Sequence, residues 1–311
     1  LYRAHPDWAY AVPGRTPALG RHQYVLDFSR EEVVDYVYGM LYQVINGANI
    51  SYIKWDMNRP LTDVYSNGTP AELQGCVSHK YVLGVYRLYE KLLSAFPDIL
   101  FESCSSGGSR FDAGMLYYAP QAWCSDNTDA VDRVQIQYGT SYGYPVSSIG
   151  AHVSAVPNQQ TGRTVPISFR ADVACFGTFG YELDLNHISE NEFEDVKQQI
   201  EFVKHYRQLL QFGTFYRLIS PFETNLNAWM VVSRDRSQAL VGVYTMHASV
   251  NGLQGRVRLR GLDKDRQYHI NTCTYYGDEL MKAGLVLNAE NALDYTQEQD
   301  YSSCIICLLA E

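Results

Sequence analysis

Strand-like and helix-like segments alternate along the first two thirds of this chain, and that rhythm limits the fold more than any other feature. The strand-like runs are YVLDFS (24–29), ISYIKWDMN (50–58), ILFESCS (99–105), AWCSDN (122–127), VSSIGAHVSA (146–155) and FGYELDL (179–185), so their starts recur about every 30 residues. Helical patterns lie between most of them. REEVVDYVYGMLYQVIN follows Ser29, a good N-cap residue type, and carries acids in its first turn. HKYVLGVYRLYEKLLSAF has an apolar stripe at i, i+3, i+4 and ends before Pro97. ENEFEDVKQQIEFVKHYRQLLQF is a long amphipathic pattern that Gly213 is expected to close. Such βα repetition predicts a parallel sheet or barrel.

Polar residues decide between the two. They gather at the ends of the strand-like runs: Asp27, Asp56, Cys104 to Gly108, Asp126, His152 and Asp184. A doubly wound sheet concentrates its site at one switch point, whereas a (β/α)8 TIM barrel places chemistry at many strand ends. The barrel is therefore expected, here with only about six βα units. The first 20 residues read as a loop rich in Pro and Gly, so two opening units are expected to be missing and the chain to be the C-terminal part of a longer protein. After Gly213 the texture changes to short strands: AWMVVSRDRSQALVGVYTMHAS (228–249), then RVRLRGLDKDRQYHI, TCTYYGD and SCIICLL. These predict an antiparallel β-sandwich domain over 214–311, behind a partial barrel over 1–213.

A net charge of −9 argues against nucleic acid or an anionic membrane as the main partner. No apolar run is long enough to span a membrane, and the N-terminus does not read as a signal peptide. Seven cysteines are scattered and odd in number, which points to a reducing, cytoplasmic compartment. Cys304 and Cys307 are spaced C-x-x-C, yet they end an apolar run with no second ligand pair, so they read as core thiols rather than a metal or redox site. No metal or cofactor is expected. The 25 tyrosines suit surfaces where apolar packing meets polar ligands such as sugars.

The segment YIKWDMNRP turns from apolar to charged within a few residues. On a strand, Lys54, Asp56 and Asn58 share one face, and Trp55 and Met57 share the other. Three polar side chains on the inner face near a barrel mouth make a site; a solvated strand end with a chance salt bridge is the bland alternative. A cation beside Asp56 favours the ionised carboxylate, which suits a nucleophile. A retaining glycosidase then needs a second carboxyl group roughly 5–5.5 Å away. WCSDNTDAVDR offers Asp126, Asp129 and Asp132. Asp129 is placed to cap the next helix and Asp132 falls inside it, which leaves Asp126 as the acid/base candidate. ESCSSGGSR (102–110) is a small-residue loop that would cradle a phosphate, admit a sugar ring close to the backbone, or simply turn the chain. Phosphate is the weaker reading, because this loop would follow strand five of a barrel rather than strand seven or eight. His152 reads as a hydrogen-bonded core residue near the site.

Together LYRAHPDWAYAVPGR, YIKWDMNR, FESCSSGGSRFDAGML, WCSDNTDAVDRVQIQYG and GAHVSAVPNQQTGR resemble glycoside hydrolase family 36, the bacterial-type α-galactosidases. They occur in the family's order over most of residues 1–175. The resemblance implies a retaining α-galactosidase acting on galactose-containing oligosaccharides of the melibiose and raffinose type. It makes Asp56 the nucleophile and Asp126 the acid/base. It assigns Lys54 and Asn58 to galactose hydroxyls, Cys104 and Gly107 to the neighbourhood of the 2-hydroxyl, and Arg21 to the site. It also implies a homo-oligomer, a tetramer in the family. Ser109 stands where glycine is expected, and Gln159 where histidine is. The family's aspartate pair and tryptophan, from earlier barrel strands, have no counterpart in this chain. The alternatives are a galactosyltransferase or α-N-acetylgalactosaminidase of the same family, or an inactive fragment lacking the first barrel strands.

Overall fold

The computed structural model describes residues 1–248, 255–288 and 299–311. They form two compact units, Leu1–Trp123 and Cys124–Glu311.

The first unit is built on a three-stranded parallel sheet. Its elements run α1 (Glu31–Asn46), β1 (Tyr52–Asp56), α2 (Val77–Ala95), β2 (Leu100–Cys104), α3 (Ala113–Tyr118) and β3 (Gln121–Ala122), with strand order β1-β2-β3. In β1 the burial alternates: Tyr52, Lys54 and Asp56 are exposed, while Ile53 and Trp55 are half-buried. Ile53, Trp55 and Met57 pack into a core made with Phe101 and with Val85, Leu88, Tyr89 and Leu92 of α2. The Trp55 and Tyr89 rings lie 4.6 Å apart between centroids. Apolar alternation thus pins the sheet's back to the helices and turns the 54/56 face outward, as the sequence predicts.

Two expectations fail here. The run 24–29 is not a strand of this sheet. Its backbone bonds to the N-terminal segment instead: Tyr10 N–H donates to Val25 O, and Asp27 N–H donates to Trp8 O. Among the described residues the parallel pairings join β1, β2 and β3 in the first unit and two further strands in the second. Nor does Ser29 cap α1. The cap position is Arg30, and Ser29 donates through its N–H and hydroxyl to the buried Asp27 carboxylate. Asp27 is fully buried there, away from the exposed 54/56 face.

The second unit holds α4 (Ala130–Thr140), β4 (Gly150–Ser154), α5 (Ile167–Ala174), β5 (Thr178–Glu182) and α6 (Glu190–Phe212), with β4 and β5 parallel. Ser189 and Glu192 form a capping box at the start of α6. Gly213 ends the helix in an extended conformation rather than a left-handed one. A Cβ there would meet Leu209 O at 2.5 Å, so close approach explains the glycine.

The chain then turns antiparallel through β6 (Thr214–Ile219), β7 (Leu226–Val232), β8 (Gln238–Thr245), β9 (Arg256–Val257), β10 (Gln267–Ile270), β11 (Cys273–Tyr276), α7 (Gly277–Lys282), β12 (Leu285–Val286) and β13 (Ser302–Ala310). The large sheet has order β11-β10-β13-β8-β7-β6. One face, including Met230, Val241 and Ile306, packs on the short β9–β12 ladder and α7. The other, including Trp229, Leu240 and Tyr244, packs on α4, α5 and α6. Burial on both faces explains why β7 and β8 read as nearly unbroken apolar runs. Ser249, the last residue of the run read from the sequence, lies outside the described residues.

One contact sets how closely α2 approaches its neighbours. A Cβ on Gly84 would lie 1.8 Å from the Phe28 carbonyl oxygen. Alanine normally stabilises a helix interior relative to glycine, but overpacking of this kind costs about 1–3 kcal/mol. Gly84→Ala is therefore expected to lower the urea midpoint. An unchanged or higher midpoint would show that α2 does not pack this tightly.

Candidate active site

The site is built on the register of β1 against β2. Lys54 lies opposite Glu102, and Asp56 lies opposite Cys104. Because paired residues of parallel strands point to the same face, these four side chains share one surface. Asp56 is exposed at the end of β1. Asn58 Nδ2 donates to its Oδ2, and the Cys104 thiol also hydrogen-bonds its carboxylate. Burial first, and then that bond to Asp56, push the Cys104 thiol up to about 11, so it stays a neutral donor.

The sequence reading paired Lys54 with Asp56. The ion pair seen is instead with Glu102, at 3.4 Å, and the Lys54 ammonium lies 4.4 Å from the centre of the Trp123 ring. Glu102 was missed because ILFESCS reads as a strand core, where an acid gives no periodic signal.

The loop after β2 is tied to the end of β1. Ser106 N–H donates to Asn58 Oδ1 at 2.7 Å, and Ser105 Oγ to Met57 O at 2.6 Å. Arg110 Nη1 also reaches Met57 O. Gly107 has φ +77°, a left-handed conformation that glycine adopts without penalty. Its N–H faces the Cys104 sulfur, while its carbonyl accepts from Ser105 N–H. Since Ser105, Ser106 and Ser109 commit their amides within the protein, the loop has no free row of N–H groups for a phosphate. A cavity of about 540 Å³ opens behind it, lined by Asn58, Tyr81, Ser106, Arg110 and Asp112 among others. It shares Asn58 with the site described above, but Lys54, Asp56 and Cys104 are not in its walls.

Arg21 lies on the exposed turn 20–23 with φ +51°. Among the described residues no side-chain bond connects it to Asp56. Arg59 holds that turn, donating to Gln23 O and Ala18 O.

In the second unit, Asp126 is exposed on the loop before α4. Arg133, 3% exposed, organises this loop. It donates to Ser125 O and Asn127 O, on either side of Asp126, and to Gly150 O of β4. From sequence it reads as one more polar residue of a helix; only the fold reveals it as buried. Asp129 caps α4 through Val131 N–H and is bound by Thr161 Oγ1 and Arg163 Nη1. Burial raises its pKa, but those bonds outweigh burial and hold it below the usual carboxylate range. Asp132 bonds Asn127 and pairs with Arg163. Asp184 caps the short turn Leu185–His187, and His152 faces Glu182 at 3.5 Å. Cys304 and Cys307 are free thiols of β13. Among the described residues no group of three His, Cys, Asp or Glu is placed to hold a metal. No described helix is long and apolar enough to cross a membrane.

Comparison with known proteins gives this geometry its setting. The family model described as Melibiase matches residues 1–213, and that of the glycosyl hydrolase family 36 C-terminal domain matches residues 226–308. The architecture is that of a barrel-type glycosyl hydrolase: βα units of a (β/α)8 barrel followed by an antiparallel β-domain. Within that class the chain belongs to glycoside hydrolase family 36. It is 54% identical over 288 residues to alpha-galactosidase AgaA of Geobacillus stearothermophilus, covering 92% of this chain and 40% of the relative. Alpha-galactosidase C of Emericella nidulans is 44% identical over 310 residues, covering 99% and 39%. A crystal structure of an AgaA variant in complex with raffinose superposes with TM-score 0.95 at 51% identity, over 100% of this chain and 42% of that one. The chain thus spans about two fifths of the length of these relatives.

The thiol geometry has a direct check. Cys76 is exposed, whereas Cys104 is buried and bonded to Asp56. At pH 8, iodoacetamide is expected to alkylate Cys104 at least about tenfold more slowly than Cys76, read by peptide mass mapping. Equal rates would contradict the Cys104–Asp56 bond.

Proposed function

We propose that this chain carries the double-displacement chemistry of a retaining α-galactosidase. The observation that carries the reading is the exposed Asp56 carboxylate at a strand end, held by two neutral donors, Asn58 and Cys104, with Lys54 on the same face. Neutral donors orient a carboxylate without consuming its charge, which a nucleophile must keep. Asp56 attacks the anomeric carbon and forms the glycosyl-enzyme. Asp126, protonated, gives its proton to the leaving oxygen, then takes one from water as the sugar is released. Lys54 and Asn58 bind sugar hydroxyls, and Cys104 and Gly107 bound the space near the 2-hydroxyl. Arg21 completes the set from its turn.

The substrates we assign are galactose-containing oligosaccharides. Support comes from relatives named alpha-galactosidases and from AgaA structures in complex with raffinose and stachyose. Residues 1–213 are assigned to the partial catalytic barrel and 214–311 to the C-terminal β-sandwich domain. The seven free thiols favour a cytoplasmic setting.

The test is turnover of an aryl α-galactoside by the longest reading frame that contains this chain. Asp56→Ala is expected to lower kcat by about a thousandfold or more. Asp126→Ala is expected to do so for poor leaving groups and much less for good ones, because only the former need the proton. Near-normal turnover by Asp56→Ala would overturn the assignment.

A further inference from the structure

We propose that Glu102 is a positioning residue of this site: its buried carboxylate fixes the Lys54 ammonium beside Asp56. The inference rests on the reading of Lys54 as a sugar-binding cation.

Glu102 is 2% exposed, and a carboxylate that deep persists only where its charge is met. Its two oxygens are met differently. Oε2 accepts from the Tyr52 hydroxyl and from Gln121 Nε2 at 3.1 Å. Oε1 receives no hydrogen bond among the described residues, and Lys54 Nζ stands 3.4 Å from it. One oxygen is clamped by neutral donors, and the other is left to the lysine.

The register makes this a built arrangement. Lys54 pairs with Glu102, which pairs in turn with Gln121, so one row runs across all three strands. The next row along the same face is Asp56 with Cys104, roughly 6–7 Å further on. Lysine has a long flexible stem that would otherwise sweep a wide volume. Here the ammonium is bracketed by Glu102 and the Trp123 ring at 4.4 Å. The pair is also asymmetric. The Glu102 side chain is 3% exposed and that of Lys54 39%, so the anion is anchored in the protein and the cation opens toward a ligand. A pair serving sheet stability alone has no need of an open cation.

The test is a double-mutant cycle in the longest reading frame that contains this chain, with steady-state kinetics on an aryl α-galactoside. Glu102→Gln is expected to raise KM about tenfold, as the unfixed Lys54 ammonium loses its charge-assisted bond to the sugar, with a smaller change in kcat. Lys54→Met is expected to raise KM at least as much. The double variant should match Lys54→Met within about twofold. If the two effects multiply, Glu102 does not act through Lys54 and the inference is overturned, while the role of Lys54 stands. If Lys54→Met leaves KM and kcat unchanged, the reading of Lys54 falls and takes the inference with it. Should Glu102→Gln fail to fold, Tyr52→Phe removes one donor from Oε2 at an exposed position and enters the same cycle. A KM increase that vanishes in the Lys54→Met background supports the inference; no increase, or one that persists there, overturns it.

Discussion

The parallel register of β1 and β2 is the constraint on which the proposed chemistry rests. It puts Asp56 opposite Cys104 and Lys54 opposite Glu102. A slip of one residue would turn Lys54 and Asp56 into the helix-facing core and bring Trp55 out. The apolar side of β1 prevents that slip. Ile53, Trp55 and Met57 are packed against α2 and Phe101, and they can be satisfied in only one register.

The polar side is then finished by short-range bonds. The loop after β2 reaches back through Ser105, Ser106 and Arg110 to Met57 and Asn58, so the residues around Asp56 are held from both strands. Asp126 is held by a different device, a buried arginine whose guanidinium collects the carbonyls on either side of it. Both devices anchor the backbone near a carboxylate and leave the carboxylate itself exposed. That suits groups that must meet a substrate.

Much of this was legible in the sequence. Period-two alternation in YIKWDMN separates the 54/56/58 face from Trp55 and Met57, and the structure shows that division. Asp129 sits where a helix cap is expected, and it caps. What failed depends on partners that composition and residue type do not name, one of them near in sequence and the others distant. YVLDFS has the composition of a strand, yet its backbone bonds to residues 8–10 rather than to the sheet. Ser29 has the type of an N-cap, but Asp27 two residues away takes its hydroxyl. Glu102 and Arg133 carry no local mark of the partners they meet. Their roles appear only once strand register and loop path are known. The ion pair of Lys54 went to Glu102 for the same reason: proximity along one strand suggested Asp56, and proximity across strands decided otherwise.

The central claim is that Asp56 is the nucleophile, and its most direct test is to trap the covalent intermediate. A difluorinated α-galactosyl donor slows the second displacement, so the glycosyl-enzyme accumulates. Digestion and fragment mass spectrometry then locate the sugar. The account requires one sugar per chain, ester-linked to Asp56. A sugar on Asp126, on Glu102 or on no residue of this chain would contradict it.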